Sequence, residues 1–172
     1  TGWITVGTSL EDTGRAVELA AKYENMYAEA GIHPHEAKDG DAAALAGLQR
    51  LAQQNKVVAI GETGLDFHYN FSKQPDQKRV FAAHLDIARE LGLPVVIHSR
   101  NAFDETMEIL DGCGGGLAGV VFHCFSGSAE QASSIEETTA SLEEMGGMVS
   151  NNVDNASRSA ELSQRVATLS EQ

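Results

Sequence analysis

Short apolar, β-branched runs alternate along this chain with longer stretches whose apolar residues recur every three or four positions. The runs at 3–7, 26–31, 57–61, 94–98, 119–123 and, more weakly, 147–150 read as strands. They are continuous rather than alternating, so both faces of each strand need cover, the mark of a parallel sheet packed between helices. Their starts lie 23 to 37 residues apart, the length of a βα unit. Between them, 12–24 places Ala16, Leu19, Ala20 and Tyr23 on one stripe, and 41–54 does the same with Leu45, Leu48, Leu51 and Ala52. The strongest helix is 77–91, where Val80, Phe81, His84, Leu85, Ala88 and Leu91 share a face. An acidic, solvated helix is expected over 130–144 and a last one over 156–169. The fold is α/β, either a doubly wound open sheet or a TIM-type (β/α)8 barrel. No G-x-G-x-x-G or Walker loop is present, and the glycines of 112–116 precede a strand, which suits a helix end and a turn.

Composition narrows the function. The 172 residues hold 12 Lys+Arg against 25 Asp+Glu, a formal net charge of −13, with 42% hydrophobic and 22% charged residues. That is globular composition at a length that buries a core, and one domain over 1–172 is expected. No apolar run approaches the roughly 18 to 20 residues of a membrane span, so no membrane partner is expected, and no obligate protein partner is inferred. Cys113 and Cys124 are too few for a disulfide framework, which suits a reducing compartment, the cytoplasm. The acidity repels phosphate backbones unless charge is locally inverted, and a bound metal ion is one such inversion.

Four apolar runs end in a residue able to hold a metal or carry a proton. The second leads into His33 and His35, the third into Glu62, the fourth into His98 and the fifth into His123. In parallel α/β folds, sites are built at these carboxyl ends. Imidazoles and a carboxylate converging on one rim suit a borderline divalent ion. Each residue alone has a plainer reading, as a hydrogen-bonded rim group or, for Glu62, a turn cap. The repeated coincidence favours the metal. His84, on the apolar face of its helix, reads as a core histidine and receives no role, and His68 reads as decoration of a polar loop.

With these residues located, the chain resembles the TatD family of metal-dependent hydrolases and deoxyribonucleases, within the amidohydrolase-like barrels. Four segments carry the likeness: G-I-H-P-H (31–35), A-I-G-E-T-G-L-D (59–66), L-P-V-V-I-H-S-R-N-A (93–102) and H-C-F-S-G (123–127), in family order and spacing. It covers residues 3 to about 150; the stretch around 133–144 is longer than the family pattern. The resemblance implies a (β/α)8 barrel with one or two divalent cations, zinc, magnesium or manganese, at its C-terminal rim. On that template Glu62 is a metal ligand that bridges two ions, and His98 and His123 ligate the second. His33 and His35 line the pocket as phosphate contacts, Arg100 neutralises a scissile phosphate with its planar fork, and Asp66 is a pocket residue behind the ligands. The implied activity is phosphodiester hydrolysis by a metal-activated water, on DNA as single strands or frayed ends.

Two family features have no counterpart here. The Asp-x-His-x-His of the family's first strand is absent, since the H-x-H at 33–35 belongs to the later motif. The Glu-Thr-Asp-x-Pro segment, whose Asp completes the first metal site and serves as base, is absent too, so no catalytic base is assigned. With about six βα units where a barrel has eight, the chain reads as an incomplete barrel, an internal fragment lacking the first and last strands. Little activity and poor solubility are expected of 1–172 alone, because open sheet edges leave apolar surface bare. Two rival readings remain: a metal-dependent hydrolase of a non-nucleic ester or amide, and a barrel that has become a non-catalytic scaffold.

Overall fold

The computed structural model describes residues 1–170 except Cys124 and Ser126; within 161–170 only the backbone is described. Those two residues of the H-C-F-S-G segment, and the side chains of the last expected helix beyond residue 160, therefore lie outside the described set. The strands are β1 (Trp3–Val6), β2 (Met26–Ala30), β3 (Val57–Asp66), β4 (Val95–Arg100) and β5 (Val120–Phe122). Each leads into a helix: α1 (Leu10–Lys22), α2 (Ala42–Ala52, after a 3-10 helix over Pro34–Asp39), α3 (Gln74–Leu91), α4 (Phe103–Gly112) and α5 (Ala129–Ser170). The strands pair in chain order, β1-β2-β3-β4-β5, and every pair is parallel. This is a run of five βα units of a TIM-type barrel.

Among the described residues, five units replace the six expected. The segment 147–150 is not a strand: it lies inside α5, with Met148 51% and Val149 55% exposed. A two-residue apolar run gains little by pairing, whereas a helix satisfies its own backbone. The same helix, which absorbs both expected elements of 130–144 and 156–169, sends Leu142 and Met145 onto the core instead.

Side-chain caps start the first two helices. Ser9 accepts from the Asp12 N–H at 3.1 Å to cap α1, and Asp41 accepts from the Ala44 N–H at 2.8 Å to cap α2. The buried faces meet over the sheet in a core that includes Leu48, Ile60, Leu65, Phe81, Leu85, Val95 and Ile97. At the edges the apolar face is bare, with Trp3 66%, Ile4 55% and Val121 53% exposed. Among the described residues, no helix is long and apolar enough to cross a membrane.

The central strand β3 is the longest, at 10 residues, and β2 and β4 flank it closely. A Cβ on Gly31 would collide with the carbonyl group of Gly61, and one on Gly64, at φ 125°, with the backbone carbonyl of His98. The β3–β4 register also slips between Ile60 and Thr63, around Glu62. Such an irregularity re-aims a side chain, and here the three backbones converge where the site residues emerge. Gly31→Ala is expected to lower the unfolding free energy by about 3 kcal/mol, because neither backbone can yield cheaply; urea denaturation reads this directly.

His84 is fully buried and structural. Its Nε2 accepts from the Ile32 N–H at 2.9 Å and its Nδ1 donates to the Val80 carbonyl at 2.7 Å, tying α3 to the end of β2. Burial drives its pKa down from 6.5 to about 4. Between those values the unfolded chain binds the extra proton, so stability falls as pH drops from 6.5 towards 4, by about 3 kcal/mol in all. His33, also lowered to about 4, acts in the same direction. His84→Phe is expected to be less stable at pH 7 yet to lose less stability between pH 7 and pH 5 than the parent. Denaturation curves at the two pH values test this, with His33 common to both proteins.

Candidate metal centre

His33 just after β2, Glu62 within β3 rather than at the end expected for it, and His98 within β4 each offer a ligand atom, and these atoms all lie within 4.8 Å of one another. His33 is the residue that enters the 3-10 helix, and its Nδ1 accepts from the His35 N–H at 3.2 Å. Thr13 of α1 holds the turn before it, exchanging hydrogen bonds with the Gly31 N–H and carbonyl at 3.3 and 3.2 Å. The His33 ring stands edge-on to those of His35 and His98, with centroids 4.4 and 4.7 Å away.

His98 lies between two carboxylates. Its Nδ1 donates to Glu62 Oε1 and its Nε2 to Asp66 Oδ2, each at 3.1 Å. Burial works against its charged form, but the two carboxylates prevail and raise its pKa above 6.5. The hydrogen bond from His98 is the main reason that Glu62 is lowered from 4.5. His33 goes the other way: burial first, then the neighbouring His98, bring it down to about 4, so it stays neutral near neutral pH.

Asp66 is fully buried beneath this group. Its Oδ2 also accepts from His35 Nε2 at 2.9 Å, while Oδ1 accepts from the His68 and Tyr69 N–H groups at 3.0 and 2.9 Å. Burial alone would raise its pKa; these hydrogen bonds hold it at about 2. Gln77 of α3, also buried, clamps the Asp66 backbone, accepting from its N–H at 2.8 Å and donating to its carbonyl at 3.1 Å. Sequence reasoning passed over Gln77, and a polar residue on the buried face of a helix was the sign to be read.

The remaining candidates surround this cluster. His35 touches Asp66 directly. Arg100 is exposed at the rim, its guanidinium carbon 4.9 Å from the centre of the Tyr69 ring. His123, just after β5, donates its backbone N–H to the Ile97 carbonyl at 3.0 Å and is not in the converging triad. It is near enough to pull down the pKa values of both Glu62 and Glu29. Glu29 is a further site residue that the sequence reading missed: 7% exposed on β2, its pKa is raised by burial and by Glu62. A lone carboxylate within the apolar run of β2 was its signal.

A neutral imidazole, an ionised carboxylate and a second imidazole form a donor set that suits a borderline divalent cation. A buried carboxylate on the far nitrogen of His98 is the usual support of a metal-binding histidine.

Comparison with known proteins identifies the family. The family model for TatD related DNase matches residues 1–168. The 3'-5' ssDNA/RNA exonuclease TatD of Shigella flexneri is 42% identical over 130 residues, which cover 76% of this chain and 50% of that protein. Its Escherichia coli K12 counterpart gives the same figures. Among solved structures, the TatD homolog YjjV of Escherichia coli K12 superposes with a TM-score of 0.69 at 34% identity, covering 78% of this chain and 52% of that one. A TatD family hydrolase of Entamoeba histolytica also gives 0.69, at 29% identity, covering 78% and 48%. The chain spans about half the length of the curated relatives it matches. With the parallel βα units and the sequence in agreement, the chain belongs to the family of TatD-related deoxyribonucleases.

Proposed function

We propose that this chain carries the metal-holding rim of a divalent-cation-dependent phosphodiesterase acting on the ends of single-stranded nucleic acid, DNA foremost, in the cytoplasm. The observation that carries the reading is the convergence of ligand atoms of His33, Glu62 and His98 within 4.8 Å of one another on three adjacent βα units. The nuclease names of the relatives support the substrate class.

In this reading His33, Glu62 and His98 hold one cation, zinc, magnesium or manganese, and His123, already coupled to Glu62, serves the same centre. A cation there supplies Lewis-acid polarisation of a phosphoryl oxygen and a source of hydroxide near neutral pH. The protein's own groups do the rest. Asp66 fixes the ring planes of His35 and His98 through its two hydrogen bonds to them. Arg100 faces the rim, where a planar guanidinium meets phosphate oxygens, and His35 lines the approach beside it. With a net charge of −13, the chain favours a strand end brought into the site over a long grip on duplex.

Two outcomes are expected. Calorimetric titration should show a divalent cation bound to the chain, with Glu62→Gln abolishing the binding and Asp66→Asn weakening it about 10- to 100-fold. The protein expressed from its complete coding sequence should degrade a single-stranded oligonucleotide only when a divalent cation is present, and Arg100→Ala should slow this step. Hydrolysis that survives chelation, or titration without bound cation, overturns the reading.

A further inference from the structure

Beyond the metal centre, one loop places aromatic surface where water should disfavour it. Residues 67–72 follow β3 directly, and within them Tyr69 is 49% and Phe71 60% exposed. The two rings are stacked, with centroids 5.3 Å apart and planes 6° from parallel. The Arg100 guanidinium lies over Tyr69 at 4.9 Å. His35 joins this stack to the metal centre, standing edge-on to Phe71 at 4.8 Å and to His33 at 4.4 Å.

The loop is held in place. Asp66 Oδ1 takes the N–H groups of His68 and Tyr69, Asn70 Nδ2 donates to the Phe67 carbonyl at 2.8 Å, and the Ser72 hydroxyl donates to the His35 carbonyl at 2.7 Å. The buried Ser72 also gives its carbonyl to Gln77 Nε2 at 2.8 Å. β3, from which the loop springs, has both neighbouring strands in place. A rigid, solvent-facing stack beside an anion-seeking centre has the shape of a subsite for something planar and apolar that is joined to a phosphate. Nucleobases fit that description, and aromatic stacking accepts every base because each has a π-face.

We propose that Tyr69 and Phe71, with Arg100 at their edge, form a nucleobase platform. It stacks a base of the substrate strand while the neighbouring phosphate reaches the metal centre. This rests on the phosphodiesterase reading for its substrate. It adds that affinity comes from base stacking rather than from a basic track, as an acidic chain with 12 Lys+Arg requires.

The test compares a fluorescein-labelled ten-nucleotide oligothymidylate with an abasic oligomer of equal length. Anisotropy is read on the protein expressed from its complete coding sequence, in calcium-containing buffer of fixed ionic strength. The parent is expected to hold the base-bearing strand about tenfold tighter than the abasic one. Tyr69→Ala with Phe71→Ala is expected to erase that difference while leaving abasic binding unchanged, and Phe71→Trp to keep it. Equal binding of the two strands by the parent, or equal loss of both in the double alanine variant, overturns the platform. The hydrolysis assay reports separately. Cation-dependent cleavage without base preference leaves the phosphodiesterase standing and sinks the platform; base preference without cleavage sinks the phosphodiesterase reading instead.

Discussion

A single buried carboxylate at the end of the longest strand organises both halves of the rim. Asp66 accepts on one oxygen from His35 and His98 and on the other from the His68 and Tyr69 backbone. The first pair orients the His35 and His98 imidazoles, and the second anchors the loop that presents the aromatic stack. An ionised carboxylate survives burial only when its lone pairs are filled, and here four donors fill them. Gln77 closes the arrangement from the helix layer, so α3 and the rim are braced against each other through one residue.

Two imidazoles a few ångströms apart are driven in opposite directions by their surroundings. His33 sits where burial dominates and stays neutral; His98 sits between Glu62 and Asp66, and their charge outweighs burial. To ligate a cation, His98 would give up the proton on the nitrogen that faces Glu62 while Asp66 keeps the other. Positive charge is favoured at this one point of a chain whose net charge is −13.

Much of this was legible beforehand because apolar continuity and helical spacing are local properties. The third strand was expected over 57–61 and in fact runs through Val57–Asp66. Its polar second half pairs with β4 through backbone groups that carry no hydrophobic signature. The expected strand at 147–150 failed for the converse reason: Met148 and Val149 are apolar, but strand formation needs a partner ladder, and a helix does not. The turn at 112–116 was read correctly, since Gly114, Gly115 and Gly116 all take positive φ. His84 was rightly placed in the core, although its role as a tie between α3 and β2 needed coordinates.

The sequence by itself determined the parallel α/β class, the placing of His33 and His123 just after strands, and the family, because each follows from residue type and spacing along one line. Only the tertiary structure decided which of these meet. It brought His33 into a group with Glu62 and His98, set Asp66 beneath them, revealed Glu29 and Gln77, and stacked Tyr69 on Phe71. The reason is physical. Convergence depends on backbone approach at Gly31 and Gly64 and on a register slip around Glu62. Those distances belong to neighbouring strands, far apart in the chain, and no local pattern encodes them.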